Sequence, residues 1–132
     1  MEHELRHLLP TLRLMPWFSN QVVVESPYAG DIETNVRYAR ALIKFCLDRG
    51  ENPFASHLFF TQEGVLDDTV PEQRVLGITC GFHQGIIAPK RVFGMDRGMT
   101  GGMKKGMGQA LRWDQEVEYV YLPGWEDGHP RE

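Results

Sequence analysis

The sequence is short of cysteine, of long apolar runs and of like-charge blocks, and each shortage narrows what the chain can be. Its cysteines, Cys46 and Cys80, lie far apart and have no metal-ligand spacing, so neither a disulfide framework nor a zinc module is expected. No stretch is long and apolar enough to cross a bilayer, and no basic-plus-apolar leader opens the chain. A cytoplasmic protein without a membrane partner is the expectation. The formal net charge is −4 and no long basic run exists, which argues against neutralising the phosphates of a nucleic acid. A nucleotide remains open as a ligand, because it needs only one or two local cations. No internal repeat is evident, and neither a P-loop nor a dinucleotide fingerprint occurs. What the sequence does have is 42% hydrophobic residues over 132 positions, enough for one packed domain.

Residues Met1–Asn20 carry Leu8, Leu9, Leu12, Leu14, Trp17 and Phe18, but Pro10 and Pro16 interrupt any long helix. They read as an apolar arm, laid on the body or on a neighbouring subunit. The domain proper spans Gln21–Leu122. Its first strand, Gln21–Glu25, has three consecutive valines and no polar face, so it belongs inside a parallel sheet. Asp31 suits a helix N-cap. After it Ile32, Val36, Ala39, Ile43 and Cys46 recur at helical spacing, until Gly50. Phe54–Phe60 reads as a second strand, and Thr61–Pro71 as a long loop of the kind that often carries function. A second helix follows from Pro71 to about Gly85, with Val75, Ile78 and Phe82 as its expected buried stripe. Arg91–Gly94 is a short strand. Met103–Trp113 is a helix with Met103, Met107, Ala110 and Leu111 on one side, and Val117–Leu122 is the last strand. The tail from Pro123 to Glu132 is polar and reads as loosely ordered. Strands alternating with helices predict a three-layer, Rossmann-like α/β sandwich on a mainly parallel sheet of four or five strands.

Three blocks concentrate chemistry. The first is Glu25–Asp31, in the loop after strand one. Ligands of open α/β sheets bind at the carboxyl ends of the strands. Glu25, Ser26, Tyr28, Gly30 and Asp31 are therefore candidate site residues, with Asn35 one turn into the helix. Glu25 is the candidate acid or base, because it ends a very apolar strand. The second block is Ser56–His57 with Asp67, Asp68, Glu72 and Arg74. His57 suits a base, a ligand-orienting group or a structural partner. The paired aspartates suit ribose hydroxyls or a helix cap. The third is Gly94–Gly106, GMDRGMTGGMKKG, between a strand and a helix. Its glycines would let backbone N–H groups and the helix dipole meet an anion, with Thr100, Gly102, Met103, Lys104 and Lys105 around it. Asp96 is the second candidate carboxylate. Glu25, Tyr28, His57 and Asp96 are expected to line one pocket. No metal site and no cofactor are implied.

With these blocks in place, the runs ESPYAGD, NVRYAR, PFASHLFFTQEGVLDD, PEQRVLGI and DRGMTGGM resemble an uncharacterised phage and bacterial family. That family is related to the nucleoside 2-deoxyribosyltransferases and the deoxynucleoside monophosphate N-glycosidases. The resemblance covers Val22 to Leu122. It implies a compact Rossmann-like domain that binds a nucleoside across its strand ends. It also implies paired subunits that complete each other's pockets, hence a homodimer or homotetramer. Ser26-Pro27-Tyr28 matches the loop that meets the sugar, and Asp96–Met103 the loop before the catalytic helix. There is one departure. The related enzymes carry a glutamate nucleophile one turn into that helix, and here Gly106 takes its position. A glycine cannot form a glycosyl–enzyme intermediate. Either another carboxylate such as Glu25 serves, with Tyr28 and Asp96 beside it, or the chain binds a nucleotide without turnover.

Overall fold

The computed structural model describes residues 20–126; the expected arm falls outside the described residues, as does the tail beyond Glu126. Strand β1 (Gln21–Glu25) leads to helix α1 (Ile32–Asp48), strand β2 (Asn52–Phe54), helix α2 (Ser56–Phe59) and helix α3 (Pro71–Ile86). Strand β3 (Lys90–Gly94), helix α4 (Gly101–Arg112) and strand β4 (Glu116–Val120) complete the domain. The four strands form one sheet in the order β2-β1-β3-β4, every pair parallel. The chain steps from β1 outward to β2, returns across it to β3, and continues outward to β4. Right-handed crossovers in opposite directions put helices on opposite faces. The result is the three-layer α/β fold expected, with β1 inside the sheet as its valine run required.

The two faces of the sheet differ sharply. On one, Val22, Val24, Val92, Val120 and Leu122 pack against Tyr38, Leu42 and Cys46 of α1. This is the apolar core, and each fully buried Val or Leu there contributes roughly 1.5–3 kcal/mol. Cys46 is a buried core residue, as its spacing suggested, and burial pushes its thiol up to about 12. The other face presents Val23, Glu25, Arg91 and Phe93 to α3 and α4, which are joined where the Gln109 side-chain amide donates to the Phe82 carbonyl at 2.8 Å. That face carries a carboxylate and a guanidinium where an ordinary sheet has aliphatic side chains.

Several elements depart from the sequence expectation, each for an identifiable reason. The second strand stops at Phe54, and Ser56–Phe59 is a helical turn. A short apolar run such as Phe54–Phe60 has no periodicity that separates strand from helix. The buried stripe of α1 is Asn35, Tyr38, Ala39, Leu42 and Cys46, while Ile32 is 45% exposed. Two polar residues can occupy it because both are satisfied: the Tyr38 hydroxyl bonds Asp96 at 2.7 Å, and the Asn35 amide donates to the Tyr28 carbonyl at 2.9 Å. Helix α3 buries Gly81 and Gly85 and turns Val75 outward. Helix α4 buries Met103, Gly106 and Ala110, with Leu111 exposed. Both helices also approach the polar face of the sheet on glycines, so the expected stripes hold only in part: Met103 and Ala110 are buried and Ile78 and Phe82 face the cavity, while Val75 and Leu111 do not. Within the described part of the tail, Trp125 stacks edge-on against Tyr38 at 4.8 Å rather than hanging free. Among the described residues no helix is long and apolar enough to cross a membrane.

Candidate functional site

The strand order reverses beside β1, between β1 and β3. The loops that leave these two strands flank the crevice where α/β sheets bind ligands. In the first loop Gly30 adopts a φ of +99°, and Asp31 caps α1 by accepting from the Thr34 N–H at 3.2 Å. Asn35 then pins the loop from below, its amide donating to the carbonyls of Tyr28 and Ala29. Its side-chain oxygen accepts from Arg97 Nε at 2.7 Å, tying the first loop to the second. In that second loop Thr100 caps α4 through the Met103 N–H. Local capping chemistry thus fixes both walls of the crevice before any ligand is considered.

Between the walls lies a cavity of about 380 Å³, within the range of small-molecule pockets. Glu25 and Arg91 are at its sheet side, with Ser26 and Tyr28 from the first loop. Ser56 and His57 enter from α2, Asp68 from the long loop, and Gln73 and Arg74 from α3. Thr100, Gly101, Gly102, Met103 and Lys105 close it from α4. A second hollow shares Tyr28, Asp68 and Arg74 with it and extends along Gly30 and residues 61–69.

Two polar pairs organise the cavity. Arg91 Nη1 donates to Glu25 Oε1 at 2.5 Å. Burial pushes the Glu25 carboxyl up to about 7, against the opposing pull of Arg91. The Ser26 hydroxyl and His57 Nε2 are hydrogen-bonded at 2.9 Å, and the Tyr28 ring meets the imidazole edge-on at 6.3 Å. Burial holds His57 down at about 4, so it is a neutral imidazole at neutral pH. The site therefore combines a carboxyl poised to gain or lose a proton with an uncharged hydrogen-bonding base. Among the described residues no group of three or more His, Cys, Asp or Glu is placed to hold a metal ion.

Of the sequence candidates, Glu25, Ser26, Tyr28, His57, Asp68, Arg74, Thr100, Gly102 and Met103 all line the cavity. Others do not. Asp96 is 1% exposed and belongs beneath the crevice, where its Oδ2 accepts from the Tyr38 hydroxyl and from the Leu122 N–H at 2.8 Å. It braces the core and is outside the cavity wall. Asn35 and Asp31 shape the first loop without reaching the cavity. Gly30 and Asp67 line only the second hollow, and Asp67 is occupied by the N–H and hydroxyl of Thr69. Glu72 is exposed in the first turn of α3, where its charge suits the helix dipole. Of the lysine pair, Lys105 lines the cavity and Lys104 does not. The unexpected member is Arg91, which sequence reasoning placed in a plain strand. Its only signal was a charged residue leading a strand with no alternation, RVFG.

Gly106 has a structural meaning as well. A Cβ added there would come within 2.6 Å of Glu25 Cδ. The carboxylate occupies the room that a side chain at 106 would need.

The fold and this crevice define a parallel α/β protein with a titratable, partly apolar cavity at its topological switch point. Residues 20–120 match the family described as Domain of unknown function (DUF7768), and the chain belongs to that family. No curated protein and no solved structure matches it.

Proposed function

We propose that this protein acts on the N-glycosidic bond of a nucleoside or nucleotide, as a cytoplasmic homo-oligomer, with water rather than an enzyme carboxylate as the nucleophile. The observation that carries the reading is Glu25: a carboxyl titrating near neutrality, at the wall of a small-molecule cavity, in the space beside position 106. Kinship with the deoxyribosyltransferases, which the sequence runs resemble, would put the reacting carboxylate at the same position. In the proposed step a water oxygen bonds to the anomeric carbon as the C–N bond breaks. The bonding electrons leave with the base nitrogen, which takes up a proton from solvent. Glu25 accepts the proton of the attacking water, and its charge favours the oxocarbenium-like sugar. Arg74 and Lys105 on the cavity wall suit a phosphate, and Asp68 suits sugar hydroxyls. Neutral His57, held by Ser26, offers hydrogen bonding without a competing positive charge.

A second reading is a nucleotide-binding module without turnover, favoured by the glycine at the position of the relatives' nucleophile. One experiment separates the two. Release of free base is followed by chromatography over a panel of deoxynucleosides and their monophosphates, with ligand affinity measured in parallel. Glu25→Gln should lower turnover by roughly a hundredfold or more and leave affinity nearly intact. Binding without base release at any pH from acid to mildly alkaline, past the Glu25 midpoint, overturns the enzyme reading in favour of the module. Absence of both binding and release overturns the proposal.

A further inference from the structure

Arg91 is 1% exposed, as deeply buried as Asp96, and it is the second residue of a central strand. Burying a guanidinium carries a large desolvation penalty even after relaxation. A methionine or leucine would fill the same space beneath α3 and α4 without that cost. Yet three elements are built to keep the arginine. Its Nε donates to Gln115 Oε1 at 2.7 Å, its Nη2 to Gln109 Oε1, and its Nη1 to Glu25 Oε1. The two glutamines cannot turn away. Gln109 Nε2 donates to the Phe82 carbonyl, and Gln115 Nε2 to the carbonyls of Gly85 and Ala88 at 2.6 and 2.7 Å. With both amide NH₂ groups committed, both amide oxygens must face the guanidinium. Gly85 completes the cradle, since a Cβ there would collide with Nη2. The arginine is thus fixed in position and direction, and its only carboxylate partner among the described residues is Glu25.

We propose that Arg91 is the positioning residue of the site: clamped by Gln109 and Gln115, it takes Glu25 Oε1 and leaves Oε2 to meet the ligand. The inference rests on the reading of Glu25 as the reacting carboxylate. The geometry supports it at both ends. Oε1 is held at 2.5 Å by a donor that cannot move, while Oε2 accepts no hydrogen bond from the described residues. Gly106 gives the carboxylate its room on the α4 side. A carboxylate held by one oxygen presents the other in one direction, which is the preorganisation that proton transfer needs. The clamp also biases charge. The groups that share the cavity with Glu25 are Tyr28 of its own loop, His57 of α2, Asp68 of the long loop, Arg74 of α3 and Lys105 of α4. Among the described residues only Arg91, from β3, makes a hydrogen bond or ion pair with the carboxylate. It offsets part of the burial penalty, so that the ionised form is reached near neutral pH instead of well above it.

The test reads Glu25 directly. Side-chain carboxyl signals of protein labelled with ¹³C-glutamate are followed against pH, and Glu25 is assigned by its loss in Glu25→Gln. In the wild type the guanidinium resonances of Arg91 should shift with the same midpoint as Glu25. Removing the charge in Arg91→Met should raise that midpoint by about 1 to 3 units, the range for a contacting opposite charge. Arg91→Lys, which keeps the charge and loses the planar fork, should raise it less. The acid limb of any base release should move upward with the midpoint. A purely structural arginine would leave the Glu25 midpoint unchanged in a folded variant, and that result overturns the inference. Should neither variant fold, the wild-type titration still decides: Arg91 resonances indifferent to the ionisation of Glu25 overturn it equally. None of these readings needs a substrate, so a wild-type protein that releases no base counts against the proposed function and not against the clamp.

Discussion

Glu25 and His57 share one cavity and are driven by burial in opposite electrical senses, and that opposition has a measurable consequence. The folded Glu25 midpoint, about 7, lies above its ordinary 4.5. The folded protein therefore holds that proton more tightly than the unfolded chain. This contribution to stability is complete below 4.5 and is lost as pH rises through 7. The folded His57 midpoint, about 4, lies below its ordinary 6.5. Its contribution is complete above 6.5 and is lost as pH falls through 4. Between pH 4.5 and 6.5 the two slopes run against each other, each approaching about 1.4 kcal/mol per pH unit at most. Urea unfolding across this window should show it. Relative to wild type, Glu25→Gln should gain stability with rising pH, and His57→Gln should lose it. Parallel curves for all three proteins would mean that neither group is shifted by the fold. At this scale the sequence was legible where a polar residue followed a strand, as with Glu25, Tyr28 and His57. It was not legible at Arg91 or Asp96. Arg91 depends on two glutamines 18 and 24 residues away, and the Asp96–Tyr38 bond spans 58 residues. Nothing local announces either partnership.

The elements tell a related story through glycine. Helices α3 and α4 reach the polar face of the sheet because Gly81, Gly85 and Gly106 carry no side chain toward Ser56, Arg91 and Glu25. Strand and helix alternation was readable from composition and spacing, since β-branched runs and caps are local signals. The phase of each helix was legible only in part. A search for an apolar stripe selects Met103, Ala110, Ile78 and Phe82 rightly but adds Val75 and Leu111, whereas these helices complete their inner faces with glycines against polar partners. The two outward errors in α3 and α4 have this one cause. Gly106→Ala tests it. The added methyl group must displace the Glu25 carboxylate or lift α4, and overpacking of this kind costs typically about 1–3 kcal/mol. Any base release should fall with it, because the carboxylate moves. Gly108→Ala, on the same helix, meets nothing within 4 Å. It should instead stabilise by up to about 1 kcal/mol, from helix propensity alone. Thermal unfolding of the two variants side by side measures the contrast. Equal effects would mean that α4 does not need its glycine beside Glu25.

At the scale of the whole molecule the unresolved business is the outer face of α3. Val75, Leu76, Ile86 and Ile87 are 63, 52, 37 and 70% exposed. Positions 75 and 86, like 76 and 87, are separated by three helical turns, so the four residues share one face of a helix about 24 Å long. The opposite side of the same helix lines the cavity with Gln73, Arg74 and Gly81. Two exposed apolar pairs, separated along the helix by the exposed Thr79 and His83 and lying beside a ligand cavity, are where a second copy would do most for both, covering hydrocarbon and narrowing the cavity mouth. Symmetric pairing is also the commonest closed assembly, and two antiparallel copies of α3 would set Val75 of one against Ile86 of the other. The proposed homo-oligomer therefore predicts a particle of at least twice 15.1 kDa in light scattering at micromolar concentration. Leu76→Glu combined with Ile87→Glu should convert it to a monomer with unchanged circular dichroism, because both side chains are already outside the core. A wild-type monomer at high micromolar concentration would sink the assembly. A dimer indifferent to the double substitution would keep the assembly and move the interface off α3. The cavity adds a second readout, since Arg74 sits one residue from Val75. If the partner narrows the mouth, the double variant should bind a nucleotide more weakly while its Glu25 midpoint, set from beneath by Arg91, stays where it was.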